Sequence, residues 1–180
     1  MGQARSIAPK TALTVLMVAA ALSAGCRAVS TEAGASTTPA DIERLKSVVP
    51  SQSHTMSDVA LHWTNLWFAG QQENWPLARF YFDEAHQHIQ WTIQIRPIRK
   101  DPEGRDVDLQ SIFQAVDASL FAAVKIAIEQ QNGSQFATAY KNSLDGCYTC
   151  HKSSGKPYLR PIVPTAPAQT IIDFAPASSQ

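Results

Sequence analysis

The segment LDGCYTCHKSS brings two thiols and an imidazole, Cys147, Cys150 and His151, within five residues. Thiols at this spacing, with a histidine directly after the second, are the attachment signal of c-type haem. In that chemistry both sulfurs add to the haem vinyl groups and the imidazole becomes the proximal iron ligand. A helix suits the spacing, because residues 147, 150 and 151 share one side of it and can meet one edge of a porphyrin. The competing uses of a thiol pair fit less well. A structural zinc site needs two more Cys or His ligands at a paired spacing, and there is no second cysteine pair. A thioredoxin-type dithiol follows a strand in a βαβ pattern, whereas this pair sits late in a helical stretch. A simple disulfide has no use for His151 and would close too small a loop to stabilise much.

The elements that must position these residues are helical. Met56, Val59, Trp63, Leu66, Trp67 and Gly70 recur at spacings of three and four, predicting a helix over about 55–70 capped by Ser53 or Thr55. Asn74 as N-cap and Pro76 in the first turn open a second helix over about 75–96, with Ala78, Tyr81, Phe82, Ala85, Ile89 and Ile93 on one face. Pro97 stops it. RKDPEGRDV reads as a charged loop, after which Asp108 caps a third helix through Leu109, Ile112, Phe113, Val116, Leu120, Val124 and Ala127. NGS ends that helix, with Ser134 capping a fourth that aligns Phe136, Tyr140, Ser143, Leu144, Cys147 and His151 until Gly155 and Pro157. No useful β alternation is present. Short connections between four amphipathic helices predict an all-α, antiparallel up-down-up-down four-helix bundle.

A bundle of this kind with CYTCH near the end of its last helix resembles the cytochrome c prime superfamily, including its low-spin members with methionine as second axial ligand. The resemblance covers roughly residues 55–155 and implies one covalently bound haem c in a carrier rather than an enzyme. The chain departs from the pattern after His151, where Pro157, Pro161, Pro164, Pro167 and Pro176 interrupt a Pro-rich tail over 156–180 that cannot continue the helix.

The second axial ligand decides the mechanism, since five-coordinate haem binds gases and six-coordinate haem mostly passes electrons. In an up-down-up-down bundle the end of the fourth helix lies beside the start of the first, which makes Met56 the expected distal ligand and His54 the second choice. Core filler is the alternative for Met56. His62 lies deeper, in a buried hydrogen-bonding role, and is the sole candidate for the acid/base partner that a haem peroxidase would need. His86 and His88 are expected to face solvent or a neighbouring helix. Arg96, Arg99, Lys100, Lys152, Lys156 and Arg160 are candidate partners of haem propionates, with Arg96 and Arg160 preferred. Trp63 and Tyr140 should pack the haem or the bundle core. The rival function is a gas-binding or gas-sensing protein whose distal face is closed by apolar side chains.

Charge and the N-terminal stretch set the compartment. Arg5 and Lys10 precede the apolar run TALTVLMVAAALSA, which is short for a membrane span and fits a signal peptide over 1–25. LSAGC resembles a bacterial lipobox, with Cys26 as lipidated N-terminus of the mature chain; a plain secretory peptide cut nearby is the alternative. Residues 26–54 then form a tether and a short helical segment, DIERLKSVV, closed by Pro50. Removing Arg5 and Lys10 with the leader leaves 13 basic against 15 acidic residues, so no basic stripe exists to neutralise phosphates and nucleic acid is excluded as a partner. The expected setting is the periplasm, with redox partner proteins, a membrane contact through the lipid anchor, and a homodimer through the first two helices of the bundle.

Overall fold

The structure is a computed structural model and describes residues 37–177. The lipidation candidate Cys26 and the signal peptide lie outside the described residues. The chain is predominantly helical. A short helix α1, Pro39–Val48, precedes α2, Gln52–Gln71, and α3, Trp75–Ile95. A small antiparallel hairpin follows, with β1 at Ile98–Lys100 and β2 at Asp106–Asp108. Next come α4, Leu109–Val116, a π-helical turn over Asp117–Phe121, and α5, Ala122–Glu129. The last helix, α6, spans Gly133–Ser153 and carries the thiol pair.

Capping explains where the helices begin. Asn74 Oδ1 accepts from Leu77 N at 3.3 Å with Pro76 in the first turn, and Asp108 Oδ1 accepts from Ser111 N at 3.1 Å, as the residue types require. Two caps differ from expectation. Ser51 rather than Ser53 or Thr55 caps α2, so that helix starts at Gln52 and its first turn buries Gln52 and Thr55. Asn132 rather than Ser134 caps α6, accepting from Gln135 N at 2.9 Å.

Helices α2, α3 and α6 bury much of the apolar stripe that their spacing dictates. Trp63, Leu66 and Ala69 of α2 meet Ala78, Tyr81, Phe82 and Ala85 of α3 and Phe136, Tyr140 and Leu144 of α6 in one core. Helix α2 packs on α3 and α6, and α5 packs on α3 and α6. Gly70 of α2 lies directly under the Phe136 ring, while Tyr140 Oη donates to the Trp63 carbonyl at 2.9 Å. The end of α2 therefore sits beside the start of α6. By length and hydropathy Leu109–Glu129 could also cross a membrane, yet Phe113, Phe121, Val124, Ala127 and Ile128 are buried against the other helices.

The segment 98–108 is a hairpin, not the open loop expected from its charge. Asp101 organises it: Oδ1 accepts from Glu103 N and Arg105 N, and Oδ2 binds Arg105 Nε at 2.7 Å. Gly104 takes the left-handed conformation of the turn at φ +82°. The π turn is the other departure. Its extra residue advances the buried face, so Phe121 is buried and Leu120, expected inside, is only half-buried.

The tail does not leave the helices. Ala168 N donates to Asn65 Oδ1 at 3.0 Å, and Asn65 Nδ2 donates to Gln169 Oε1 at 2.8 Å. Further on, Asn74 Nδ2 donates to Ala175 O at 2.9 Å and the Phe174 ring packs between Phe68 and Tyr81.

Candidate functional site

Cys147 and Cys150 are free thiols on the last two turns of α6, both packed against the hydrophobic core. Burial, reinforced by the neighbouring Cys150, pushes the Cys147 thiol up to about 12. Burial also raises Cys150. Thiols held protonated in this way are poor nucleophiles for disulfide exchange, which counts against a dithiol redox site. Gly146, just before the pair, lets α6 close on the π turn: a Cβ there would come within 2.7 Å of Leu120 Cδ1 and 3.1 Å of Val116 Cγ1.

His151 is oriented from outside its own helix. Its Nδ1 lies 2.6 Å from the Leu159 carbonyl, which can only accept, so Nδ1 carries a proton and in the neutral imidazole Nε2 keeps its lone pair. A ligating histidine needs this arrangement, with one nitrogen tied to a backbone acceptor and the other open to the metal. The return of the chain at Gly155, φ +71°, makes the contact possible by ending α6 and folding the tail back. Lys156 N donates to the His151 carbonyl at 2.8 Å, and Tyr148 Oη donates to the Pro157 carbonyl at 3.1 Å. Leu159 was invisible to motif reasoning because its contribution is a carbonyl, which any residue supplies.

Trp63 and Tyr140 come together. The Trp63 ring lies 5.8 Å from Tyr140 and 4.9 Å from Phe121, with Phe82 on its other side at 6.1 Å. Trp63 Nε1 is buried and has no hydrogen-bond partner among the described residues. Burial raises the Tyr140 phenol, with a smaller contribution from Cys147 nearby. Phe121 belongs to the same aromatic stack; the shifted register of the π turn hid it from the sequence.

Met56 is half-buried in the first turn of α2, beside a polar lock formed where α2 meets α3. In that lock Gln52 Nε2 donates to the Thr92 and Arg96 carbonyls at 3.1 Å each, and Arg99 donates to Gln52 Oε1. Thr92 Oγ1 donates to Thr55 Oγ1 at 2.6 Å. His54 is exposed at the start of α2.

Arg96 and Arg160 are not brought to one place. Arg96 lines a shallow hollow with Ile98, Arg99 and Lys100, while Arg160 lines a separate groove of about 280 Å³ with Lys141, Asp145 and Tyr148. Lys152 and Arg160 both sit over the Tyr148 ring, at 4.8 and 5.9 Å.

The remaining histidines face neighbouring elements. His86 Nε2 pairs with Asp117 Oδ1 at 2.8 Å on the π turn. His88 and His62 meet between α3 and α2, their rings 5.2 Å apart. His62 does not make the expected buried hydrogen bond through Nδ1, which is left without a partner. Burial, together with His88, lowers its pKa from the ordinary 6.5. No family model matches the chain, and the comparisons with curated proteins and with solved structures found no significant match.

Proposed function

We propose that the chain is a periplasmic, monohaem c-type cytochrome of the cytochrome c prime kind that carries single electrons, with α2, α3, the Leu109–Glu129 rod and α6 as its up-down-up-down bundle. One haem c is held through Cys147 and Cys150, with His151 as proximal and Met56 as distal ligand. The observation that carries this reading is the His151 Nδ1 contact to the Leu159 carbonyl at 2.6 Å, beside two free, half-buried thiols on the same helix end. The donors present fit a covalently bound porphyrin: two unpaired sulfurs, one imidazole with Nε2 open, and the buried Trp63 Nε1 donor without a partner.

Bound haem supplies a one-electron ferric/ferrous couple. Cys147 and Cys150 would hold it through two thioethers, each S–H adding across one vinyl group, which needs no oxidant. His151 presents Nε2 in a fixed tautomer, set by Leu159. Met56 would contribute a soft sulfur, which would favour the ferrous state and raise the potential. The contacts Gly70–Phe136 and Trp63–Tyr140 set an antiparallel register between α2 and α6; extended toward the end of α6, that register supports Met56 as the distal partner of His151. Trp63, Tyr140 and Phe121 keep water from this end of the core. A lipid on Cys26 and docking to redox partner proteins complete the proposal.

The absorption spectrum of the purified protein at neutral pH tests the axial ligands. Low-spin bands with a weak sulfur-to-iron charge-transfer feature in the ferric protein, lost in Met56→Ala, are expected. A high-spin spectrum that shifts on adding carbon monoxide would remove Met56 as ligand and support the gas-binding alternative.

A further inference from the structure

Helices α2 and α3 each present a carboxylate and a histidine one turn apart toward the other: Asp58 and His62 on α2, Glu84 and His88 on α3. Residues four apart stack on one helix face, so two such pairs on facing helices converge. Ligand atoms of His62, Glu84 and His88 all lie within 4.8 Å of one another, and all three side chains are half-buried. His62 Nδ1 and His88 Nδ1 are both buried without a hydrogen-bond partner among the described residues. Two orphaned imidazole nitrogens side by side are costly unless something satisfies them. The contrast with His86, held by Asp117 at 2.8 Å, shows what a satisfied histidine looks like on the same helix.

Asp58 offers a fourth donor, the second carboxylate of the cluster. Asp58 Oδ2 lies 3.6 Å from His88 Nδ1. That is too long for a hydrogen bond. It is close to the separation of about 3.4 Å between two donors bound at 2.0–2.1 Å to one tetrahedral ion.

We propose that His62, Glu84 and His88, with Asp58 as fourth donor, form a binding site for a divalent transition-metal ion of the zinc type, clamping α2 to α3 apart from the Cys–His segment. Two neutral imidazoles and carboxylates suit Zn²⁺ better than Ca²⁺ or Mg²⁺, which take oxygen ligands throughout. Every ligand comes from one helical hairpin, so the ion ties together two elements adjacent in sequence and stiffens the scaffold.

The test is zinc titration of the full chain by calorimetry, with Cys147 and Cys150 blocked, either by haem or by alkylation of the haem-free chain. Blocking removes the other plausible zinc ligands and makes the outcome independent of the haem proposal. One Zn²⁺ per chain and a rise of several degrees in melting temperature are expected for the wild type, with both lost in His62→Ala/His88→Ala. Glu84→Gln keeps the side-chain shape, and with an unchanged circular dichroism spectrum it should weaken binding at least tenfold. Absence of zinc binding by the wild type, or equal binding by a folded Glu84→Gln variant, would overturn the assignment.

Discussion

Tyr140 shows how much a single residue holds at this end of the core. Its hydroxyl donates to the Trp63 carbonyl, its ring stacks on Trp63 and packs at a tilt against Trp67, and it is 1 % exposed. Removing the hydroxyl in Tyr140→Phe keeps the packing and loses one buried hydrogen bond, a cost of about 1 kcal/mol. The Trp63 carbonyl still accepts within its helix, so the larger penalty for an orphaned group does not apply. Burial raises the Tyr140 phenol above its ordinary value of 10.0, so the folded chain keeps it neutral while the unfolded chain ionises first. That stabilisation is complete below pH 10 and is lost as pH rises. Denaturant midpoints measured from pH 8 to 11 should fall more steeply in the wild type than in Tyr140→Phe; parallel curves would contradict this.

At the scale of elements, close approach decides what the helices tolerate. A Cβ on Gly70 would overlap the Phe136 ring, which is fully buried and has nowhere to go. Alanine normally gains up to about 1 kcal/mol over glycine inside a helix, and overpacking costs about 1–3 kcal/mol, so packing wins. Gly70→Ala should lose about 1–2 kcal/mol by chemical denaturation. Gly133→Ala, where the nearest atom is Glu73 Oε1 at 3.4 Å, is the tolerated control. Equal stability of Gly70→Ala and wild type would contradict the tight α2–α6 contact. The four helical stretches were legible because their apolar residues recur every three or four positions and because Asn74, Asp108, Pro97 and Gly155 punctuate them. The hairpin was hidden by its charge and its three-residue strands. The π turn left no mark on the pattern, since Val116 and Leu120 continue an ordinary α stripe until the extra residue turns Phe121 inward.

For the whole molecule, the tail joins the chemistry to the scaffold. Leu159 orients His151, Ala168 and Gln169 satisfy the buried amide of Asn65, and Phe174 closes over Phe68 and Tyr81. The residues proposed to hold haem were legible in the sequence because thiols and imidazoles are rare and their spacing is specific. The backbone group that fixes the imidazole was not, because its position depends on how the chain turns at Gly155. The distal side rests on register alone, and the two arginines assigned to one site fall into separate hollows. The most direct measurement is whether iron porphyrin stays with the polypeptide after denaturation and extraction with acidified organic solvent, in full chain made by a host able to attach haem. Pigment retained by the wild type and lost from Cys147→Ala/Cys150→Ala is the expected result. Colourless wild-type protein, with both thiols alkylated once unfolded, would contradict it.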